Sequence, residues 1–350
     1  MILDKLLFDQ ISSVGESLLQ KSGLVNFPQN IEEMGKFLET SKLAYEKEDF
    51  DGLLFANILF SFVSNIDVRD RHVTARMFED IFSALFSTKP TDKIGKNNPI
   101  PPKEIIELNK YNNGDNWNIA SDLAGNKREK ADISINKYHI SLKTLKGIAF
   151  DKDGNVLPKK IITSSGDEIK NEQNNELNVG SLSFRALLKG ILTDEELKEL
   201  GDRKKGLGSG SAVRKSMLDK IKQHNKTEEF KHRLNLFMNY VYDEDLYIVL
   251  KSHYQIKWIL IPSKTFIGTI LTNYEQDEND FEKIWYRWEN NNLRMYWNPL
   301  LDKIKKYGFP YKEIVFNLGE AVHSSQIENF KENISNNIKE EINKMLNNKK

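Results

Sequence analysis

Ala131-Asp132-Ile133-Ser134-Ile135-Asn136-Lys137-Tyr138-His139-Ile140-Ser141-Leu142-Lys143-Thr144 is the stretch whose reading decides the fold. Apolar and polar residues alternate on both sides of Asn136-Lys137, the period of a half-buried strand. A two-residue turn there, with Asn136 tolerating the left-handed conformation, predicts a hairpin. Ile133 then faces Ile140, Ile135 faces Tyr138 and Ala131 faces Leu142 on an apolar side. Asp132 lies opposite Ser141 on the polar side. Lys143 shares that side at about 7–8 Å along the diagonal, within reach of a long side chain. His139 is there too, and its expected role is structural, since the six histidines are scattered and no pair has helical metal-ligand spacing.

Upstream, residues 1 to 87 read as helices. Phe78, Ile81, Phe82, Leu85 and Phe86 repeat at helical spacing and need a partner surface, for which the hairpin's sheet is the expectation. Glu79 and Asp80 fall off this stripe, where charged side chains are normally exposed. Prolines and glycine break the chain over 87–102. A short helix over 103–110, the polar 111–117 stretch and the basic Lys127-Arg128-Glu129-Lys130 lead into the hairpin, whose second strand continues past Lys143. Asp151-Lys-Asp153-Gly154-Asn155 has an early glycine and no acid at the twelfth position, so it reads as a tight turn and not a calcium loop.

Downstream, 163–178 is polar and expected to loop. Residues 179–192 suit a strand entering a short helix, and Thr193 with Glu196 forms a capping box. A Gly-rich basic insertion at 203–215 opens helical sequence to about 242. Residues 246–251 and 255–261 predict a second hairpin. Aromatic and basic residues crowd 285–297, from Trp285 to Trp297, and are expected mainly as core, with base stacking the alternative. The tail from 326 reads as a charged helix. The fold class is therefore α/β, a central mixed β-sheet flanked by helices. Its regions are an N-terminal helical one at 1–69, a core at 70–262 and a mostly helical C-terminal one at 263–350.

The chain has 350 residues, formal charge zero, 39% hydrophobic and 29% charged residues, and no cysteine. That is enough chain to bury a large core. Disulfides, zinc fingers and thiol nucleophiles are excluded, which fits a reducing, cytoplasmic home. No secretory pattern opens the sequence, and the longest apolar run, 53–63, is too short to span a bilayer, so no membrane partner is expected. Neutral overall charge argues against bulk adhesion to nucleic acid. Residues 201–240 nevertheless carry ten Lys or Arg against four Asp or Glu. Within that excess, Arg203, Lys204, Lys205, Ser209, Ser211, Arg214 and Lys215 are the expected DNA-binding residues, because a Gly-rich segment ahead of a helix presents amides to phosphate. No nucleotide-binding loop is present, since Gly-Lys-Ser or Gly-Lys-Thr is missing at the required offset.

Asp132, eight intervening residues, then Ser141-Leu142-Lys143, preceded by an amphipathic helix bearing Glu79, resembles the PD-(D/E)XK nuclease superfamily, in particular the type II restriction endonucleases. The resemblance covers about residues 70–262 and implies a restriction-endonuclease-like core. It implies that Asp132 binds a catalytic Mg2+, that the Leu142 carbonyl completes the metal shell, and that Lys143 positions the attacking water and offsets charge at the scissile phosphate. An acid on the preceding helix joins through water, and Glu79 matches best, with Asp80 next. Ala131 stands where the family has Pro, at a position that does no chemistry. Ser141 stands where an acid is expected, so the missing carboxylate falls to Glu79 or, failing it, Glu168 or Glu176. One metal is then the natural complement.

The implied activity is magnesium-dependent cleavage of double-stranded DNA at a specific short sequence, leaving 5′-phosphate and 3′-hydroxyl ends. A palindromic target implies a homodimer, and a restriction role implies a cognate DNA methyltransferase. The alternatives are a repair or structure-specific nuclease of the same superfamily, and a non-catalytic binding protein in which Asp132 and Lys143 form an ordinary cross-strand ion pair.

Overall fold

The computed structural model describes residues 5–64, 71–88, 132–145, 160–162, 168–170, 181–182, 187–201, 210–242, 244–251, 255–276, 281, 284–289, 292–295, 297–317 and 336. The expected loop at 89–102, the helix at 103–110, the turn at 151–155, Glu176 and the C-terminal helix all lie outside the described residues, residue 336 apart.

Four helices come first: α1 (Lys5–Lys21), α2 (Ile31–Glu46), α3 (Phe50–Ser64) and α4 (Arg71–Leu85). Local chemistry explains their bounds. Asn30 caps α2 by accepting the Glu33 N–H at 2.9 Å, satisfying one of the orphan donors of the first turn. Helices α1 and α4 cross at Gly15, where a Cβ would stand 1.7 Å from the Leu85 carbonyl oxygen. Only glycine permits that approach.

The main sheet has five strands: β1 (Ile133–Ile135), β2 (Tyr138–Leu145), β6 (Asp245–Lys251), β7 (Gln255–Ile261) and β10 (Lys312–Asn317), in the order β1-β2-β6-β7-β10. Every pairing is antiparallel except β2 with β6, which run parallel. A parallel neighbour needs a crossover, and residues between β2 and β6 supply one. It includes the ribbon β3 (Lys160–Ile162) and β4 (Glu168–Lys170), the strand β5 (Ser181–Leu182), and α5 (Asp194–Gly201), α6 (Gly210–Gln223) and α7 (Thr227–Val241). The β3–β4 pair corrects the expectation of an unbroken loop over 163–178: Ile161 opposite Ile169 supplies the apolar alternation that pairs two short strands in a polar context.

The sheet divides two hydrophobic cores. On one face Ile133, Ile135, Ile140, Leu142, Tyr247, Val249, Ile256, Trp258, Leu260, Ile314 and Phe316 pack under α1–α4. Phe78 and Phe82 of α4 lie 5.7 and 5.1 Å from the Trp258 ring, so the α4 stripe docks on the sheet as its periodicity predicts. On the other face Leu246, Ile248, Leu250, Ile259 and Ile261 meet residues of α6, α7, α8 (Ser263–Gln276) and α9 (Trp297–Tyr307). Strands β6 and β7 are thus greasy on both sides, as buried central strands are.

The divisions near 69 and 262 do not separate cores. Helices α1–α3 share the core of the sheet, and β10 extends it from the C-terminal region. That region also contributes β8 (Trp285–Glu289) and β9 (Asn292–Met295), a hairpin joined to β5. Among the described residues no helix is long and apolar enough to cross a membrane.

Candidate functional site

The turn at Asn136-Lys137 has the expected form, with Asn136 at φ 55°. Ile133 pairs with Ile140, Ser134 with His139 and Ile135 with Tyr138. At Asp132 the regular ladder ends. Its N–H goes to the Ile140 carbonyl at 2.9 Å, although Ile140 already faces Ile133, so the chain bends one residue before a direct Asp132–Ser141 pairing. This refines the expected register, and the side chain closes the gap that the bend leaves. The Asp132 Oδ2 accepts the Leu142 N–H at 2.7 Å, the Lys143 Nζ at 3.0 Å and the Ser141 Oγ at 3.3 Å.

The Leu142 bond fixes where this carboxylate sits. Groups on a strand point alternately to its two neighbours, and the Ile140 carbonyl points to the β1 side. Leu142, two residues on, points its N–H the same way, and strand stereochemistry turns its carbonyl there as well. Asp132 Oδ2 therefore replaces the main-chain acceptor that β1 would have offered. The carboxylate lies at the end of β1, held at the β1 edge of β2 by the Leu142 N–H. All three of its contacts fall on Oδ2, so Oδ1 has no partner among the described residues.

The two faces of the hairpin are unequal. The apolar face lies under α4. No hairpin residue belongs to the second core among the described residues, so the face bearing Ser134, His139, Ser141 and Lys143 overhangs it as a polar shelf at the sheet edge. Ser134, Ser141 and Lys143 are half-buried and His139 is exposed. Ser134 Oγ and His139 Nδ1 are 2.8 Å apart. Thr88, just beyond α4, donates to the Ser134 carbonyl at 3.1 Å and covers the outer edge of β1, which an unpaired strand needs.

Beneath the shelf, the hairpin is pinned to β6. The Tyr138 hydroxyl donates to Asp245 Oδ2 at 2.8 Å and also hydrogen-bonds the Tyr247 hydroxyl. The other Asp245 oxygen accepts the Ser263 N–H at 2.8 Å, at the start of α8. Burial above all, with the Asp245 carboxylate adding to it, raises both phenols far above their ordinary value and keeps them protonated. Sequence reading missed this trio: its members are far apart in the chain, Tyr138 read only as an apolar-face residue and Tyr247 only as part of the strand predicted over 246–251.

The structure brings Asp132, Ser141, Leu142 and Lys143 together. Glu79 is half-buried on α4, the helix against the apolar face of β1 and β2. Asp80 corrects the expectation of exposure, being completely buried. It lies one turn before Ala84, whose carbonyl accepts the Ser12 hydroxyl of α1 at 2.8 Å, so α4 is enclosed on that side as well as on its sheet-facing side. Glu168 sits in β4, opposite Ile162. Arg203, Lys204, Lys205 and Ser209 lie outside the described residues, and Ser211, Arg214 and Lys215 occupy the first turns of α6, where only the backbone is described. Residues 285–289 and 292–295 are likewise described as backbone, apart from the buried Met295.

Among the described residues no three His, Asp or Glu side chains converge as a metal-binding group. Asp132 Oδ1 and the Leu142 carbonyl are still two hard oxygen donors on one edge, and magnesium is commonly held by one or two carboxylates with water and substrate phosphate completing its shell. The donor set fits that mode. Comparison with protein-family models, with curated proteins and with solved structures finds no match.

Proposed function

We propose that the chain is a magnesium-dependent endonuclease of restriction type that cleaves double-stranded DNA. The observation that carries this reading is the meeting of a carboxylate, a lysine and the Leu142 peptide at the bent end of a hairpin, on a face that contributes no residue to the second core among the described residues.

In this reading Asp132 Oδ1 and the Leu142 carbonyl hold the metal, while Leu142 N–H and Ser141 Oγ fix the carboxylate's rotation. Bound magnesium supplies a polarised phosphodiester oxygen and a more acidic water. Lys143, 3.0 Å from Oδ2, orients the attacking water and offsets the charge that grows on the phosphate, leaving a 5′-phosphate and a 3′-hydroxyl. Glu79, on the helix that packs against β1 and β2, would take part through water, standing in for the acid that Ser141 does not provide. The basic 203–215 segment and α6 carry the DNA backbone contacts, in line with the positive excess of 201–240. A palindromic target would pair two such sites in a homodimer, and protection of the host DNA would fall to a methyltransferase.

One observation favours a second reading. Lys143 already satisfies Asp132, as in a cross-strand ion pair of a binding protein. Incubating the protein with supercoiled plasmid in magnesium or in EDTA separates the readings. Discrete magnesium-dependent bands support the restriction enzyme and a smear supports a less specific nuclease. An intact plasmid supports the binding protein.

A further inference from the structure

We propose that His139, held by Ser134, binds the phosphodiester next to the scissile one, so that the cleaved DNA strand runs along β2. The inference rests on the nuclease reading and deepens it, giving the substrate's direction across the site and a residue that contacts it away from the reacting phosphate.

Lys143, Ser141 and His139 occupy alternate positions on one face of β2. Alternate residues of a strand stand about 7 Å apart, and the sugar–phosphate repeat sets neighbouring phosphates at a comparable separation. A phosphate engaged at Asp132, Ser141 and Lys143 therefore puts its neighbour over His139. The imidazole suits that position. Its Nδ1 is occupied by the Ser134 hydroxyl at 2.8 Å, and the ring is exposed. When the serine donates to Nδ1, the ring proton resides on Nε2, which then donates to a phosphate oxygen. The Ser134 contact fixes the ring plane, much as an outer hydrogen bond orients a metal-ligating histidine, and the proposal requires the tautomer in which the serine is the donor. Beyond His139, the exposed Lys137 of the turn continues the line. On this shelf Asp132 is the one acidic side chain among the described residues 132–143, and it sits at the metal end.

The test begins with wild-type protein and plasmid in magnesium, and the mapped cut defines a duplex oligonucleotide. Two further duplexes carry a single neutral methylphosphonate, one at each phosphate flanking the cut. For the wild type, one of the two substitutions lowers kcat/KM about tenfold, the size of one net hydrogen bond. His139→Ala lowers kcat/KM on the natural duplex by a similar factor, mainly through KM, and is not slowed further by that methylphosphonate. The Ser134→Ala variant gives a smaller loss in the same direction, and circular dichroism confirms that each variant is folded. Wild-type rates for His139→Ala on the natural duplex overturn the proposal and leave the nuclease reading standing. Losses from the variant and the methylphosphonate that simply multiply do the same. A plasmid left intact by the wild type overturns both.

Discussion

Replacing Asp132 by Asn keeps the shape of the side chain and removes its charge, which separates a catalytic carboxylate from a structural one. The amide oxygen still accepts the Leu142 N–H, so the bond now 2.7 Å long survives. What is lost is the attraction to Lys143. The two side chains retain 26% and 35% of their exposure, and pairs so open to water contribute at most about 1 kcal/mol. Urea denaturation should therefore show a loss of stability below about 1 kcal/mol. Breaking a fully buried pair, by contrast, costs about 3–5 kcal/mol. Cleavage behaves differently, because a neutral amide is a poor partner for magnesium. Losing about 3 kcal/mol of transition-state stabilisation slows the reaction by roughly 100-fold or more. The expected result is a folded protein of near-native stability with plasmid cleavage reduced at least that far. Cleavage within tenfold of wild type would refute the metal-ligand role. A stability loss of about 3 kcal/mol or more would show that the pair is a structural element and that the exposure argument is mistaken.

Glu79→Gln should raise the magnesium concentration needed for half-maximal cleavage while reducing the saturated rate less than Asp132→Asn does; an unchanged magnesium titration removes Glu79 from the site. Gly15→Ala should destabilise the fold by about 3 kcal/mol in denaturant titration, because the new Cβ meets the rigid Leu85 carbonyl at 1.7 Å and α1 must shift off α4. For acid stability, Asp49, Glu196 and Glu229 all have folded values below their ordinary 3.8, 4.5 and 4.5. For Asp49 the hydrogen bond from Lys21 leads. For the two glutamates burial works the other way and is outweighed by donors, Thr193 N–H and His224 at Glu196, Lys226 and Arg233 at Glu229. Each contribution is fully present above the ordinary value and is lost as pH falls through the folded one. Denaturation free energy should thus drop below about pH 4.5, and Asp49→Asn with Glu196→Gln and Glu229→Gln should flatten that drop.

Much of the hairpin was legible because period-2 alternation has only two solutions, and a slip by one residue would have exposed Ile133, Ile135, Ile140 and Leu142 together. The stripe of α4 was legible for the same reason, since Phe78 and Phe82 had to find a surface as large as Trp258 offers. The burial of Asp80 was not. Helical periodicity separates a greasy side from a polar one but does not say that a second helix covers part of the polar side, and α1 does so through Gly15. The tyrosine pair with Asp245 was hidden too, because the parallel register that sets Tyr247 beside the hairpin arises only after a crossover of about a hundred residues between β2 and β6.

The bend at Asp132 is the least readable feature and the one on which the chemistry turns. A ladder continued by one more residue would have given the Leu142 N–H a main-chain acceptor and pointed Asp132 off one face, opposite Ser141. Ending the ladder early leaves that N–H without a backbone partner at the edge, and the nearest acceptor is the aspartate side chain. The same bond holds the carboxylate at the edge of β2, beside Lys143, and on the side to which the Leu142 carbonyl turns. Backbone satisfaction and site assembly are then one event, because the hydrogen bond that closes the strand end also orients the proposed metal ligand. Ser141 fits this arrangement for a steric and electrostatic reason. A second carboxylate at that position would stand within about 4 Å of Oδ2 and repel it, whereas a hydroxyl can donate to it at 3.3 Å. In the proposed site the acid absent from β2 would come from outside the hairpin, and α4, which packs against β1 and β2, is the described element that carries Glu79.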